Sequence, residues 1–123
     1  MSFLVVAPDG FVRVDAEPTA ETLDIIAPGS RRSIDVRGPG NVRVHVSDDA
    51  MLEGKSANVM MTLFCRKHSD LAEREAIFGN VALVCSEAGN GRLPVPDWVS
   101  DELRELRPYM TAAEMRTPRP LAN

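Results

Sequence analysis

Aromatic residues are scarce: four Phe, one Trp and one Tyr among 123 residues. Any core must therefore be built mainly from Val, Leu, Ile, Met and Ala. Cysteine is nearly missing too. Two residues, with no C-x-x-C pair, supply no zinc knuckle, and in a chain without an export signal they are expected to be reduced thiols. No apolar run approaches membrane-spanning length. The opening "MSFLVVAPDG" has no basic region before its short apolar run and turns immediately after it, so neither a signal peptide nor a membrane partner is expected. Basic charge is also in deficit, with 14 Lys and Arg against 18 Asp and Glu and a net charge of −4. That balance argues against nucleic acid as a partner, which needs a basic field to displace counterions. "GPGN" and "GNGR" fit neither G-x-x-x-x-G-K-[ST] nor a G-x-G-x-x-G after a strand, so no nucleotide motif is present. These absences describe a soluble cytoplasmic protein of one domain. Arginine outnumbers lysine twelve to two, a bias typical of a GC-rich genome.

What is there reads as alternating strand and helix patterns. "FLVVAP" is a β-branched run ending at a Pro-Asp-Gly turn, and "FVRVDA" alternates after it, which predicts a hairpin. Thr19 caps a short helix carrying Leu23, Ile26 and Ala27, stopped by Pro28-Gly29. "SIDVRGPGNVRVHVS" predicts a second hairpin with one apolar and one polar face. "SDDAMLEGKS" is a loop, from which Ser56 is positioned to cap a largely buried helix starting near Ala57, with Thr62 and Arg66 toward solvent. "FGNVALVCSE" is apolar on both faces, as in a central strand. Asp97 opens a last helix to about Arg107 with a Val99, Leu103, Leu106 stripe, and Pro108 discourages its continuation.

The fold expected is α+β: a small mixed or antiparallel sheet of two hairpins and a central strand, covered by one buried helix, with an added C-terminal helix. Residues 1–87 form the α+β core. Residues 88–123 form a C-terminal helix and tail packed on the core or on a partner.

Three stretches resemble the domain-of-unknown-function family numbered three-eight-four-six, small proteins encoded largely by phages and other mobile elements. They are the strand ending in proline, "FLVVAP"; the acidic loop leading to an asparagine-led helix, "SDDAMLEGKSANVMMTLF"; and the closing "G-x-V-x-x-V" strand, "GNVALV". The resemblance covers about residues 3–86. It departs at "APGSRRS", where a glycine-rich turn would stand. It implies a phage origin and supplies no catalytic residues.

Candidates for chemistry are few. Cys65 and His68, at i and i+3 on a helix, have the spacing of a thiolate–imidazole pair, and with His45 and Cys85 they exhaust the soft metal ligands. Against both readings, His45 alternates onto a polar strand face, Cys85 falls in phase with Val81 and Leu83, and no orienting group or oxyanion site accompanies Cys65. No catalytic residue, cofactor site or metal site is assigned. Asp48, Asp49 and Glu53 are oxygen ligands in number but lack the interval and central glycine of an EF-hand, so a solvated loop is preferred. Arg31 and Arg32 are the candidate anion contacts. Arg13, Arg37 and Arg43 would form a basic sheet surface if their faces coincide. Trp98 sits off the centre of its helix stripe, and with Leu103, Arg104, Arg107 and Tyr109 it is the candidate partner interface.

The expected function is a non-catalytic, phage-encoded protein that binds a host or phage protein in the cytoplasm. The alternative is capture of a small, nucleotide-like ligand. An open sheet edge and the Val99, Leu103, Leu106 stripe also predict a homodimer with contacts from residues 97 to 118.

Overall fold

The computed structural model describes residues 2–16, 18–71, 75–85 and 94–116, the stretch from 109 onward by its backbone alone. Its elements run β1 (Phe3–Ala7), β2 (Gly10–Val14), α1 (Ala20–Ile26), β3 (Arg31–Asp35), β4 (Val42–Ser47), α2 (Val59–His68), β5 (Val81–Cys85) and α3 (Asp97–Arg116). The five strands form one sheet in the order β2-β1-β5-β4-β3, and every neighbouring pair is antiparallel. The α+β architecture of two hairpins flanking a central strand follows the apolar patterns, with the sheet antiparallel throughout.

Register assigns the side chains to two faces. Leu4 and Val6 of β1, Val81, Leu83 and Cys85 of β5, and Val42, Val44 and Val46 of β4 share one face, which α2 and α3 cover side by side. The other face carries Val5, Ala82 and Val84 in its middle, where α1 packs Leu23 and Ile26. All five residues of β5 are buried, because helices lie over both of its sides.

Two helix starts depend on side-chain caps. Thr19 Oγ1 accepts from Thr22 N at 3.0 Å, as its position predicts. At α2 the cap is Asn58, not Ser56. Its Oδ1 accepts from Met61 N at 3.2 Å, while its Nδ2 donates to Val6 O at 3.0 Å and Gly79 O at 2.9 Å. Asn can satisfy a helix end and two strand-end carbonyls at once, which a hydroxyl cannot. Thr62 is likewise corrected: it is buried, donating to Asn58 O and accepting from Ile77 N at 2.9 Å. Its hydroxyl tethers the segment leading into β5, a role that its polarity on a helical wheel does not reveal.

The last helix is longer than expected. α3 continues through Pro108 to Arg116. Pro108 removes the bond to the carbonyl of Arg104, and both residues are exposed, so the unmade bond faces water. Val95, Val99 and Leu103 belong to the same buried cluster as the sheet and α2, so this helix completes the core. Residues 88–93 and the tail from 117 lie outside the described residues. Among the described residues, no helix is long and apolar enough to cross a membrane.

Candidate functional site

The seam between α2 and α3 holds the residues that first suggest chemistry. Cys65 points into the core and is fully buried, and burial pushes its thiol up to about 12. A thiol so held is protonated at neutral pH and a poor nucleophile. His68 turns away from it: Nε2 lies 3.1 Å from Glu102 Oε1, and the ring packs on Phe64 and edge-on to Trp98. The helix spacing therefore brings no thiolate–imidazole pair together. Cys85 donates its Sγ hydrogen to Gly40 O at 2.8 Å on the helix-covered face, whereas His45 stands on the opposite face of the sheet. Among the described residues, no group of three His, Cys, Asp or Glu side chains converges for a metal ion.

Glu102 is the hub of the seam. It accepts from Lys67 Nζ at 2.5 Å as well as facing His68, and the lysine bond, then the histidine bond, hold its carboxyl below the usual range. A carboxyl lowered in the fold stabilises it above the ordinary glutamate pKa, and the gain is lost as pH falls through the lowered value. Acid unfolding should therefore lose part of its pH dependence in Glu102→Gln. A variant that follows the native stability curve at every pH from 7 to 3 would show that the carboxylate contributes nothing there.

Trp98 folds over the core edge. Its indole N–H donates to Pro39 O at 2.9 Å, its ring stacks on Phe64 at 6.0 Å, and it roofs Gly38, where an added Cβ would meet the ring at 3.0 Å. Leu103 is fully buried in the chain's own core, so of the two coverings expected for the stripe, core or partner, the core takes Val99 and Leu103, and Leu103 is not open to a partner. Arg104 lies over the Phe11 ring and pairs with Asp101 at 2.8 Å, and Arg107 sits beside Gly10. The Tyr109 side chain lies outside the described residues.

The arginines do not assemble. Arg31 and Arg32 fall on opposite faces of β3: Arg31 pairs with Asp24, and Arg32 lies 3.6 Å from Asp48 and 3.4 Å from Glu75. Consecutive strand residues point to opposite faces, so this pair cannot grip one anion. The basic sheet surface is corrected on the same ground. Arg13 lies on the helix-covered face, bonded to Val95 O at 3.0 Å, while Arg43 lies opposite and pairs with Asp35 at 2.8 Å. Arg37 lies beyond β3 and closes the end of α2, donating to Ser69 O at 3.0 Å.

A surface feature at the far end of the sheet was less visible in the sequence. Residues 48–55 are wound tightly: Glu53 N donates to Asp49 O at 2.9 Å, Lys55 N to Ala50 O at 3.0 Å, and Asp48 N to Ser30 O at 2.8 Å. Asp49 is spent on this winding, accepting from Ser30 N at 3.1 Å. The coil turns Ala50 inward and leaves Met51 60% and Leu52 83% exposed. Ile25 of α1, 78% exposed, lines an open cleft of about 330 Å³ with Ala50, Glu53 and Lys55 from this coil. Met51 borders a second, smaller cleft with Val46, Ile77 and Phe78. Adjacent Met and Leu inside a polar, glycine-bearing loop were the signal available. No protein-family model, curated protein or solved structure matches this chain.

Proposed function

We propose that the protein is a non-catalytic binding protein of phage origin, engaging a host or phage protein in the cytoplasm. The observation that supports binding is three exposed apolar side chains: Met51 and Leu52 on a loop wound by its own backbone bonds, and Ile25 of α1, which lines a cleft with Ala50, Glu53 and Lys55 of that loop. Ordering a loop costs conformational entropy, and exposing its apolar tips recovers none of it. A partner that covers them gains from a contact already arranged, with little further ordering to oppose it. The phage origin rests on the resemblance of the strand, loop and helix motifs. A nucleotide-like ligand has less support, because Arg31 and Arg32 diverge and each has an acidic neighbour.

The test compares capture from host lysate by the full chain and by Ile25→Ser/Met51→Ser/Leu52→Ser. Exposed substitutions should change stability by no more than about 0.5 kcal/mol each. A partner retained by the native chain should be lost by the variant, with affinity reduced at least tenfold. Equal capture by both proteins, or no capture by the native chain, would overturn the reading.

A further inference from the structure

The β3 edge of the sheet carries a self-complementary pattern. In an antiparallel ladder, hydrogen-bonded and non-hydrogen-bonded residue pairs alternate. On this hairpin Asp48 N donates to Ser30 O at 2.8 Å and Val36 N to Val42 O at 2.9 Å, at the two ends of the β3–β4 register. The bonded positions of β3 are therefore the even-numbered ones, Arg32 and Ile34. Arg31, Ser33 and Asp35 turn their N–H and C=O groups outward, and no described residue meets them through a backbone bond.

We infer that β3 pairs antiparallel with β3 of a second copy across a two-fold axis at Ser33, joining two sheets into one of ten strands. In that register Ser33 faces Ser33, and Arg31 faces Asp35 of the second copy at both ends. All three outward residues then exchange both of their backbone bonds. Sliding the strands by two residues leaves one outward residue on each copy unmatched and sets a charge against Ser33. Sliding by four brings Arg31 onto Arg31, or Asp35 onto Asp35. Backbone satisfaction and charge select the same register.

The side chains extend the match. Arg31 already pairs with Asp24, and Asp35 with Arg43, all on the α1 side of the sheet. Pairing two copies lines them up as Asp24, Arg31, then Asp35 and Arg43 of the second copy, with alternating sign throughout. On the other face Arg32 comes opposite Ile34, whose half-buried side chain its aliphatic stem covers. Exposed edges attract unwanted strands, and charges on them oppose most pairings. Here the charges leave one pairing favourable.

Sedimentation and crosslinking test this directly. The full chain should sediment at twice its monomer mass. Ser33→Pro, which removes an outward N–H unused within the chain and is tolerated on an edge strand, should sediment as a folded monomer. Ser33→Cys should lock the dimer under mild oxidation, since facing residues lie about 5.5 Å apart at Cα, within disulfide reach. Arg32→Cys should not, because its copies would stand roughly 8 Å apart by strand geometry. The native cysteines are buried and do not compete. A native monomer at high concentration, a dimer that Ser33→Cys fails to lock, or one that Arg32→Cys locks equally well would overturn the inference.

Discussion

Asn58→Ala is expected to destabilise the protein by about 3–5 kcal/mol, enough to threaten folding altogether. The residue is fully buried and makes three side-chain bonds to three different parts of the backbone: the first turn of α2, the end of β1 and the turn before β5. Loss of a helix cap alone costs about 1 kcal/mol, with 2 at the upper end. The alanine also strands two buried carbonyls, at about 1–3 kcal/mol each where water cannot reach them. Asn58→Asp separates these contributions. It keeps the acceptor for Met61 N but points a carboxylate oxygen at the carbonyls of Val6 and Gly79, so it should be at least as damaging as alanine. Urea unfolding of the three proteins decides the matter. A loss below about 1 kcal/mol for alanine would mean that water or a shifted backbone replaces the bonds.

Leu103→Asp should leave no cooperatively folded protein at neutral pH, rather than a folded protein with altered assembly. Leu103 is fully buried with Val99, in the cluster that also holds Phe64, Met61 and the sheet. Truncation to alanine alone would cost about 2–5 kcal/mol, a large part of a small domain's stability. The aspartate adds an unpaired carboxylate that must stay ionised at a high desolvation cost or take up a proton. Burial raises its folded-state pKa, so the ionisation defect is full above that raised value, shrinks as pH falls below it, and is gone below the ordinary carboxylate value. Urea titrations at pH 7 and pH 5 check it, with no cooperative transition expected at pH 7 and partial recovery at pH 5. A variant as stable as the native chain would mean that the α3 stripe faces solvent or a partner after all. For the same reason, a chain cut after Glu87 loses Val95, Val99 and Leu103 and cannot serve as a folded control.

The strands were legible because each has one or two apolar faces with period two. β5 was recognisable as central from "VALVC", where alternation gives way to a continuous apolar run. Which hairpin lies on which side of it was not legible, since no local pattern encodes order across a sheet. The errors cluster where a polar side chain serves the interior. Thr62 read as a solvent residue and the cap was given to Ser56 instead of Asn58, because the partners that bury Thr62 and Asn58 come from 15 to 52 residues away in sequence. Arg13 alternates correctly along its strand, but the face it points to is fixed by Val95 and Ser2, which the alternation does not include. The candidate site was hidden for the converse reason: Met51 and Leu52 look like core residues until the backbone bonds of their loop turn them outward.

The strand order also bears on how the chain is made. The two hairpins do not pair with each other; β1 and β4 meet only through β5, the last strand in sequence among the described residues. A ribosome releasing the first 80 residues therefore exposes two half-sheets with an empty slot between them, each ending in an apolar strand that lacks its neighbour. Arrival of Val81–Cys85 fills both ladders in one step. Since Thr62 and Asn58 already bind the residues just before it, α2 holds the incoming strand near the slot. Protease resistance in stalled nascent chains should thus appear abruptly once β5 and α3 have emerged, and a gradual rise from the first hairpin onward would contradict it.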